Sequence, residues 1–152
     1  MKLFNFKSKS KDLTLTEAKE LLQSQISNGA ICPCCGRYTK IYRRKINSGM
    51  AKFLKALYNL NQINQKSYSA SYVLKTMVSP ANSLDYGVLV HFGLIKKVSA
   101  NQYEITQLGK EFVEGKSPAP KYVYVQNNVL VDKSGKCYFK DAQKEKFTKE
   151  NI

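Results

Sequence analysis

One amphipathic pattern in the middle of the chain constrains the fold more than any other sequence feature. Its apolar side chains follow the spacing i, i+3, i+4, i+7 and i+10 and share one helical stripe: Met50, Phe53, Leu54, Leu57 and Leu60. Asn47 and Ser48 come just before and are residue types that cap helix N-termini. The pattern predicts a long helix whose buried face must be covered by further elements.

Shorter segments after this helix alternate between helical and strand-like patterns. Ser79-Pro80 separates two of them, because proline is favoured in the first turn of a helix and disfavoured inside one. Gly93 and Gly115 mark helix ends. The expected elements are helices at 67–78 and about 81–92, strands at 94–98 and 103–106 around a polar turn at 99–102, and a helix at 107–114.

The two ends of the chain predict smaller elements. Thr14 and Glu17 have the form of a capping box, so a helix is expected over about 15–27. Asn127-Asn128, between two apolar-rich arms, predicts a hairpin, and one more short strand or helix follows it. The fold class is therefore α+β. We expect four segments: a basic flexible tail at 1–13, a helix plus cysteine hairpin at 14–47, a domain at 48–115, and a C-terminal hairpin and tail at 116–152.

Charge is distributed unevenly along the chain. The formal net charge is +14, and residues 21–84 carry nine Lys or Arg residues and no Asp or Glu. A long stretch without carboxylates attracts polyanions, which favours a nucleic-acid partner. The alternative is a compositional bias toward Lys and Asn that carries no binding role.

Several classes of protein do not fit the sequence. No apolar run approaches the roughly 20 residues that cross a bilayer, and the basic N-terminus has no continuous apolar region, so a cytoplasmic protein of a bacterial host cell is expected. No nucleotide-binding, hydrolase or metalloprotease motif is present, which argues against an enzyme. His91 is expected at the edge of the core rather than in a catalytic site.

The cysteines suggest a metal. Cys32 and Cys35 form a C-x-x-C pair followed by Gly36, the pattern of a zinc knuckle, in which two thiolates converge on one ion. Cys34 and Cys137 are the candidates for further Zn²⁺ ligands, and a second subunit is another source. A hairpin held by packing alone, or a redox-active pair, remains the alternative.

The run HFGLIKKVSANQYEITQLGKEFVEG, residues 91–115, resembles the second half of bacterial winged helix-turn-helix repressors. The matching positions are Gly93, Leu94, Ile95, Tyr103, Ile105, Thr106 and Gly109. The resemblance extends over about residues 48–114 and implies a recognition helix at 81–92 and a wing at 99–102. The whole chain also resembles small phage and prophage proteins that combine a CPxCG turn, a winged helix and a PKYV hairpin.

The resemblance assigns expected nucleic-acid contacts. Asn82, Ser83 and Tyr86 should point outward from the recognition helix toward bases. That helix contains no Lys or Arg, so the phosphate contacts are assigned elsewhere, to Arg37, Lys40, Arg43, Arg44, Lys45, Lys52, Lys55, Lys96 and Lys97. Tyr38 and Tyr42 either stack on unpaired bases or pack against the hairpin's neighbours.

We therefore expect a non-enzymatic protein of phage or mobile-element type that binds nucleic acid, with double-stranded DNA preferred over RNA, and acts as a regulator or accessory factor. The alternative is a phage protein-interaction module that binds or inhibits a host protein such as an antiviral nuclease. A dimer is compatible with either expectation.

Overall fold

The computed structural model describes residues 12–77 and 85–145. In these residues the protein is a mixed α+β structure with five α-helices and small antiparallel sheets. The chain divides into two compact units, residues 1–41 and 42–152. The predicted basic tail, except for its last two residues, and residues 81–84 of the predicted recognition helix lie outside the described residues.

The described part of the first unit, residues 12–41, contains one helix and one short hairpin. α1 (Leu15–Gln25) is capped by Thr14. The Thr14 side chain accepts a hydrogen bond from the Glu17 backbone, and the Glu17 carboxylate accepts one from the Thr14 backbone. The predicted capping box is therefore confirmed. β1 (Ala30–Ile31) pairs with β2 (Tyr38–Thr39) around the cysteine turn. A few side chains form its small buried cluster: Ala18, Ile26, Ala30 and Thr39.

The cysteine hairpin ends before the predicted boundary at residue 47. Only Tyr38–Thr39 pairs with β1, and β3 (Tyr42–Arg44) pairs with a C-terminal strand instead. β1 has only two residues, since the cysteine turn begins at Cys32 and Pro33 has no backbone donor for a ladder. The unit boundary at 41/42 therefore divides the predicted segment 14–47.

The second unit is built on α2 (Ser48–Ile63). The Asn47 side chain accepts a hydrogen bond from the Met50 backbone at 3.0 Å and caps the helix as expected. All five apolar stripe residues are buried, which confirms the amphipathic pattern. α2 is the central element of the core. It contacts each described helix that follows it in the chain and the strand Gln102–Ile105.

Three short strands and two helices follow α2. A single helix was predicted over 67–78, but a two-residue strand comes first and the helix follows it. The described part of the predicted third α-helix forms a 3-10 helix instead. The elements are β4 (Tyr68–Ser69), α3 (Ala70–Thr76), the 3-10 helix Tyr86–Val90, β5 (Ile95–Ser99), β6 (Gln102–Ile105) and α4 (Gln107–Val113). Their sheet is antiparallel in the order β4-β6-β5, with a tight turn at residues 100–101.

The contacts at the start of α4 give a structural reason for two residues on which the resemblance rests, Thr106 and Gly109. The Thr106 hydroxyl caps α4 by accepting from the Gly109 backbone at 3.0 Å, and it donates to the Gly93 carbonyl at 2.6 Å. A Cβ at Gly109 would overlap the Leu94 carbonyl oxygen. Only glycine therefore permits α4 to pack this closely on the chain before β5.

The C-terminal residues complete the second unit. β7 (Tyr122–Gln126) and β8 (Val129–Ser134) form the predicted hairpin, with Asn127 and Asn128 both at positive φ. The sheet order is β3-β7-β8. The final predicted element is a helix, α5 (Phe139–Lys144), and Phe139 packs edge-on against Phe112 of α4. The segments predicted at 48–115 and 116–152 thus contribute to one core.

Candidate nucleic-acid interface

The basic residues of β3 have acidic or aromatic partners within the second unit. The Arg44 guanidinium lies 3.2 Å from the Asp85 carboxylate, and Lys45 forms an ion pair with Glu145. Arg43 is exposed, and its guanidinium lies 4.7 Å from the centre of the Tyr122 ring. Of the three predicted phosphate contacts at residues 43–45, in and just after β3, two are therefore already paired with carboxylates.

The basic residues of α2 have a different environment. Lys52 and Lys55 are exposed on the face opposite the buried stripe, and neither forms an ion pair with a described residue. The Lys55 ammonium lies 5.1 Å from the Tyr58 ring centre. Because α2 contains no Asp or Glu, its own surface offers no competing carboxylate. This exposed face, defined by Lys52 and Lys55 and called the α2 lysine face below, is an open cationic surface.

The predicted wing is the turn between β5 and β6. Asn101 occupies the turn at a φ of 61°, which allows the two strands to pair closely. Both lysines are exposed, but Lys96 lies 3.4 Å from Glu104 on the neighbouring strand, whereas Lys97 forms no ion pair with a described residue. Of the two lysines predicted beside the wing, Lys97 is therefore the better placed for an external anion.

The predicted base contacts have different outcomes. Asn82 and Ser83 lie outside the described residues. Tyr86 was expected to point outward, and this is wrong: its ring stacks on Phe53 at 4.7 Å and meets Tyr103 edge-on at 5.6 Å. A regular α-helix over 81–92 would have turned Tyr86 outward, but the 3-10 geometry of 86–90 changes the phase of the side chains.

The predicted contacts next to the cysteine turn lie in or beside the first unit. Arg37 is exposed and Lys40 is half-buried. The Tyr38 ring packs against the backbone of Gly29, whose φ of 94° and missing side chain create the space. Tyr42, in the second unit, is half-buried beside Arg44. Tyr42 is therefore packed among its neighbours, whereas Tyr38 leaves 52% of its surface exposed, so both alternatives stay open for Tyr38.

One aromatic surface was missed by the sequence analysis. Tyr122 and Tyr124 project from the same face of β7, while Val123 between them is fully buried on the other face. Arg43 and Lys121 both lie within cation–π distance of the Tyr122 ring, at 4.7 and 5.5 Å. The alternation in YVYV, with tyrosines at every second position, is the signal that could have revealed this face.

The cysteine turn is closed by backbone hydrogen bonds. Cys32 donates to the Arg37 carbonyl at 2.8 Å, and Gly36, at a φ of 71°, donates to the Cys32 carbonyl at 2.9 Å. Hydrogen bonds from the backbone of Cys35 and then of Cys34 lower the pKa of the Cys32 thiol. This is the arrangement of a thiolate-binding turn, and it fits Cys32 and Cys35 as two ligands of a metal ion.

Cys137 has a different environment. It forms an isolated bridge with Ala119, and its thiol donates to the Tyr138 carbonyl at 3.4 Å. Burial raises its pKa, so the thiol form is favoured. Among residues 12–77 and 85–145, no three His, Cys, Asp or Glu side chains converge as a metal site would require. The turn therefore offers two candidate ligands and no third among the described residues.

His91 is half-buried, as expected for the edge of the core. Its Nε2 atom lies 3.4 Å from the Asn128 side-chain oxygen in the β7–β8 turn. No carboxylate or nucleophile among the described residues is hydrogen-bonded to the ring.

Comparison of the chain with protein-family models, with curated proteins and with solved structures found no match. No helix in the described part of the chain has the length and apolar character needed to cross a membrane.

Proposed function

We propose that residues 48–115 form a winged helix-turn-helix domain. The order of elements supports this assignment, because α2, α3 and a third helical segment precede two strands joined by a short turn. β4, which lies between α2 and α3 in the sequence, pairs with β6 and is the third strand of that sheet. The roles of Thr106 and Gly109 at the start of α4 give a packing reason for the motif that the resemblance rests on.

On this scaffold the protein acts as a non-enzymatic nucleic-acid-binding factor, with double-stranded DNA as the preferred ligand and a role as regulator or accessory protein of phage type. The α2 lysine face carries this proposal, because its two lysines are exposed, neither forms an ion pair with a described residue, and α2 itself contains no Asp or Glu. A phosphate backbone is the biological polyanion that such a surface meets in a cytoplasm.

The proposed contacts divide into two kinds. Lys52, Lys55 and Lys97 bind phosphates, with Arg43 and Arg37 as additional exposed cations. Asn82 and Ser83 remain the candidates for base recognition. With so few base contacts and no Lys or Arg in the recognition segment, the protein is expected to bind many sequences with similar affinity.

Fluorescence anisotropy with a labelled duplex tests the proposal. At about 50 mM salt the full chain should bind the duplex, and the affinity should fall steeply as salt increases, because released counterions drive phosphate binding. Single-stranded DNA and RNA of the same sequence serve as competitors. Absence of duplex binding at about 50 mM salt, where backbone contacts are strong, would falsify the proposal.

The edge strand β8 favours a second function, capture of a host protein. Val129, Leu130 and Val131 are all exposed on this strand, which lies at the edge of its sheet. An apolar strand edge can accept an additional strand from a partner. A pull-down from nuclease-treated bacterial lysate should then recover a partner with the native chain and not with Leu130→Lys, whereas loss of every partner on nuclease treatment would favour the nucleic-acid function.

A further inference from the structure

The cysteine turn has no role in the proposed nucleic-acid binding, yet it is arranged for a ligand. Its backbone is fixed by two hydrogen bonds, one from Cys32 to the Arg37 carbonyl and one from Gly36 to the Cys32 carbonyl. Cys34 and Cys35 are exposed, so an ion can reach the tip of the turn from solvent. Cys32 and Cys35, three positions apart in a tight turn, are placed to bind one zinc ion.

A structural zinc ion takes four ligands, and this chain offers no second pair of thiols. The chain has four cysteines in total, and the only one outside the turn is Cys137. Cys137 belongs to the other compact unit and donates its thiol proton to the Tyr138 carbonyl. The single histidine, His91, has Asn128 as its neighbour. Residues 1–11, 78–84 and 146–152 contain neither cysteine nor histidine.

Cys34 does not solve the shortage. It directly precedes Cys35, and two adjacent cysteines can bind one ion only if the backbone between them is distorted. The hydrogen bonds from Cys32 to Arg37 and from Gly36 to Cys32 oppose that distortion. One chain therefore supplies two well-placed thiolates.

The charge around the turn suits a shared site. Four thiolates on one Zn²⁺ leave a net charge of about −2, which needs compensation by nearby cations. Residues 30–41 contain Arg37 and Lys40 and no acidic residue. Two copies would therefore surround the ion with four basic side chains, whereas the same cations would repel each other if the two turns met without a metal.

We propose that the turn at Cys32–Gly36 is one half of a zinc site that is completed by the same turn of a second copy of this chain. Each copy contributes Cys32 and Cys35, releases one proton from each thiol, and leaves Cys34 outside the coordination sphere. Zinc thereby acts as the link that makes the protein a dimer.

Cobalt titration and light scattering of the reduced, metal-free full chain test this proposal. Co²⁺ should produce the charge-transfer and visible bands of a tetrahedral thiolate site, with an end point of about one ion per two chains. Added Zn²⁺ should double the molar mass, and a chelator should restore the monomer. One ion per monomeric chain, a mass that does not respond to metal, or no absorption bands would overturn the proposal.

Serine variants identify the ligands. Cys32→Ser and Cys35→Ser should each lose the end point and the dimer, while the matched variants Cys34→Ser and Cys137→Ser should retain both. Circular dichroism of each metal-free variant checks that the chain is folded. Loss of the dimer in Cys137→Ser would contradict the proposal, because it would place the remaining ligand within the same chain.

Discussion

β3 and α2 both carry basic residues, and they present these residues differently. Arg44 at the end of β3 and Lys45 directly after it meet carboxylates of Asp85 and Glu145, which lie 41 and 100 positions later in the sequence. Lys52 and Lys55 on α2 are exposed on a helix that has no acidic residue. Charge that is concentrated in the sequence is therefore only partly available on the surface, because folding brings distant acids to some of the basic residues.

The largest expected effect is on the free energy of unfolding, which should respond to a change on the buried face of α2 and not to one on its exposed face. Phe53 is fully buried and stacks on Tyr86, so Phe53→Ala should lower the free energy of unfolding by about 3–5 kcal/mol through loss of packing and creation of a cavity. Urea denaturation measures this loss. The double variant Lys52→Gln/Lys55→Gln is the control, with a change within about 0.5 kcal/mol. A similar loss in both variants would show that the lysine face is needed for folding.

The next effect concerns binding by the α2 lysine face. Lys52→Gln/Lys55→Gln should weaken duplex DNA binding roughly 10- to 100-fold at about 0.1 M salt, because two phosphate contacts are lost. Anisotropy titrations give the dissociation constants. Lys133→Gln/Lys136→Gln removes the same charge from two exposed positions at and after β8 and should have a clearly smaller effect. Equal losses would mean that net charge, not this face, determines affinity.

A smaller effect is expected when the ion pair of Lys45 is removed, which frees this lysine to bind phosphate. Glu145→Gln removes the partner of Lys45, and since both side chains are partly exposed the stability should fall by about 0.2–1 kcal/mol. Duplex binding should become tighter, by roughly tenfold at most, as Lys45 gains access to phosphate. Thermal denaturation and anisotropy give the two values. Unchanged affinity would place Lys45 away from the bound nucleic acid.

The smallest effect concerns an exposed ion pair of the same kind. Hydrogen bonds from Lys116 and then from the Tyr58 hydroxyl lower the pKa of Glu114. In Tyr58→Phe this pKa should move up toward its usual value and stay below it because Lys116 remains. A lowered carboxyl pKa stabilises the fold above the usual glutamate pKa and ceases to do so as pH falls through the lowered value. Carboxyl NMR titration measures the shift, and an unchanged pKa would contradict the assigned cause.

Much of the fold could be predicted from local patterns. The stripe of α2, the capping box of α1 and the Asn127-Asn128 turn each depend on residues close in sequence, and all three are present in the structure. The exposed positions of Lys52 and Lys55 follow from the same helical periodicity. These features were accessible because their physical causes act over a few residues.

The failures have long-range causes. Tyr42–Arg44 pairs with β7, about 80 residues later, and no local signal distinguishes that partner from the nearer β1. Tyr86 is turned inward by a 3-10 helix and by aromatic contacts with Phe53 and Tyr103. The carboxylate partners of Arg44 and Lys45 likewise became known only from the tertiary structure.

The salt dependence of duplex binding tests the central comparison most directly. The slope of the logarithm of the association constant against the logarithm of salt concentration counts phosphate contacts, at about 0.9 per contact. Lys52→Gln/Lys55→Gln should reduce the magnitude of this slope by about 1.8, while Arg44→Gln/Lys45→Gln should leave it nearly unchanged. The reverse result, a reduced slope for the β3 variant and an unchanged slope for the α2 variant, would contradict the account.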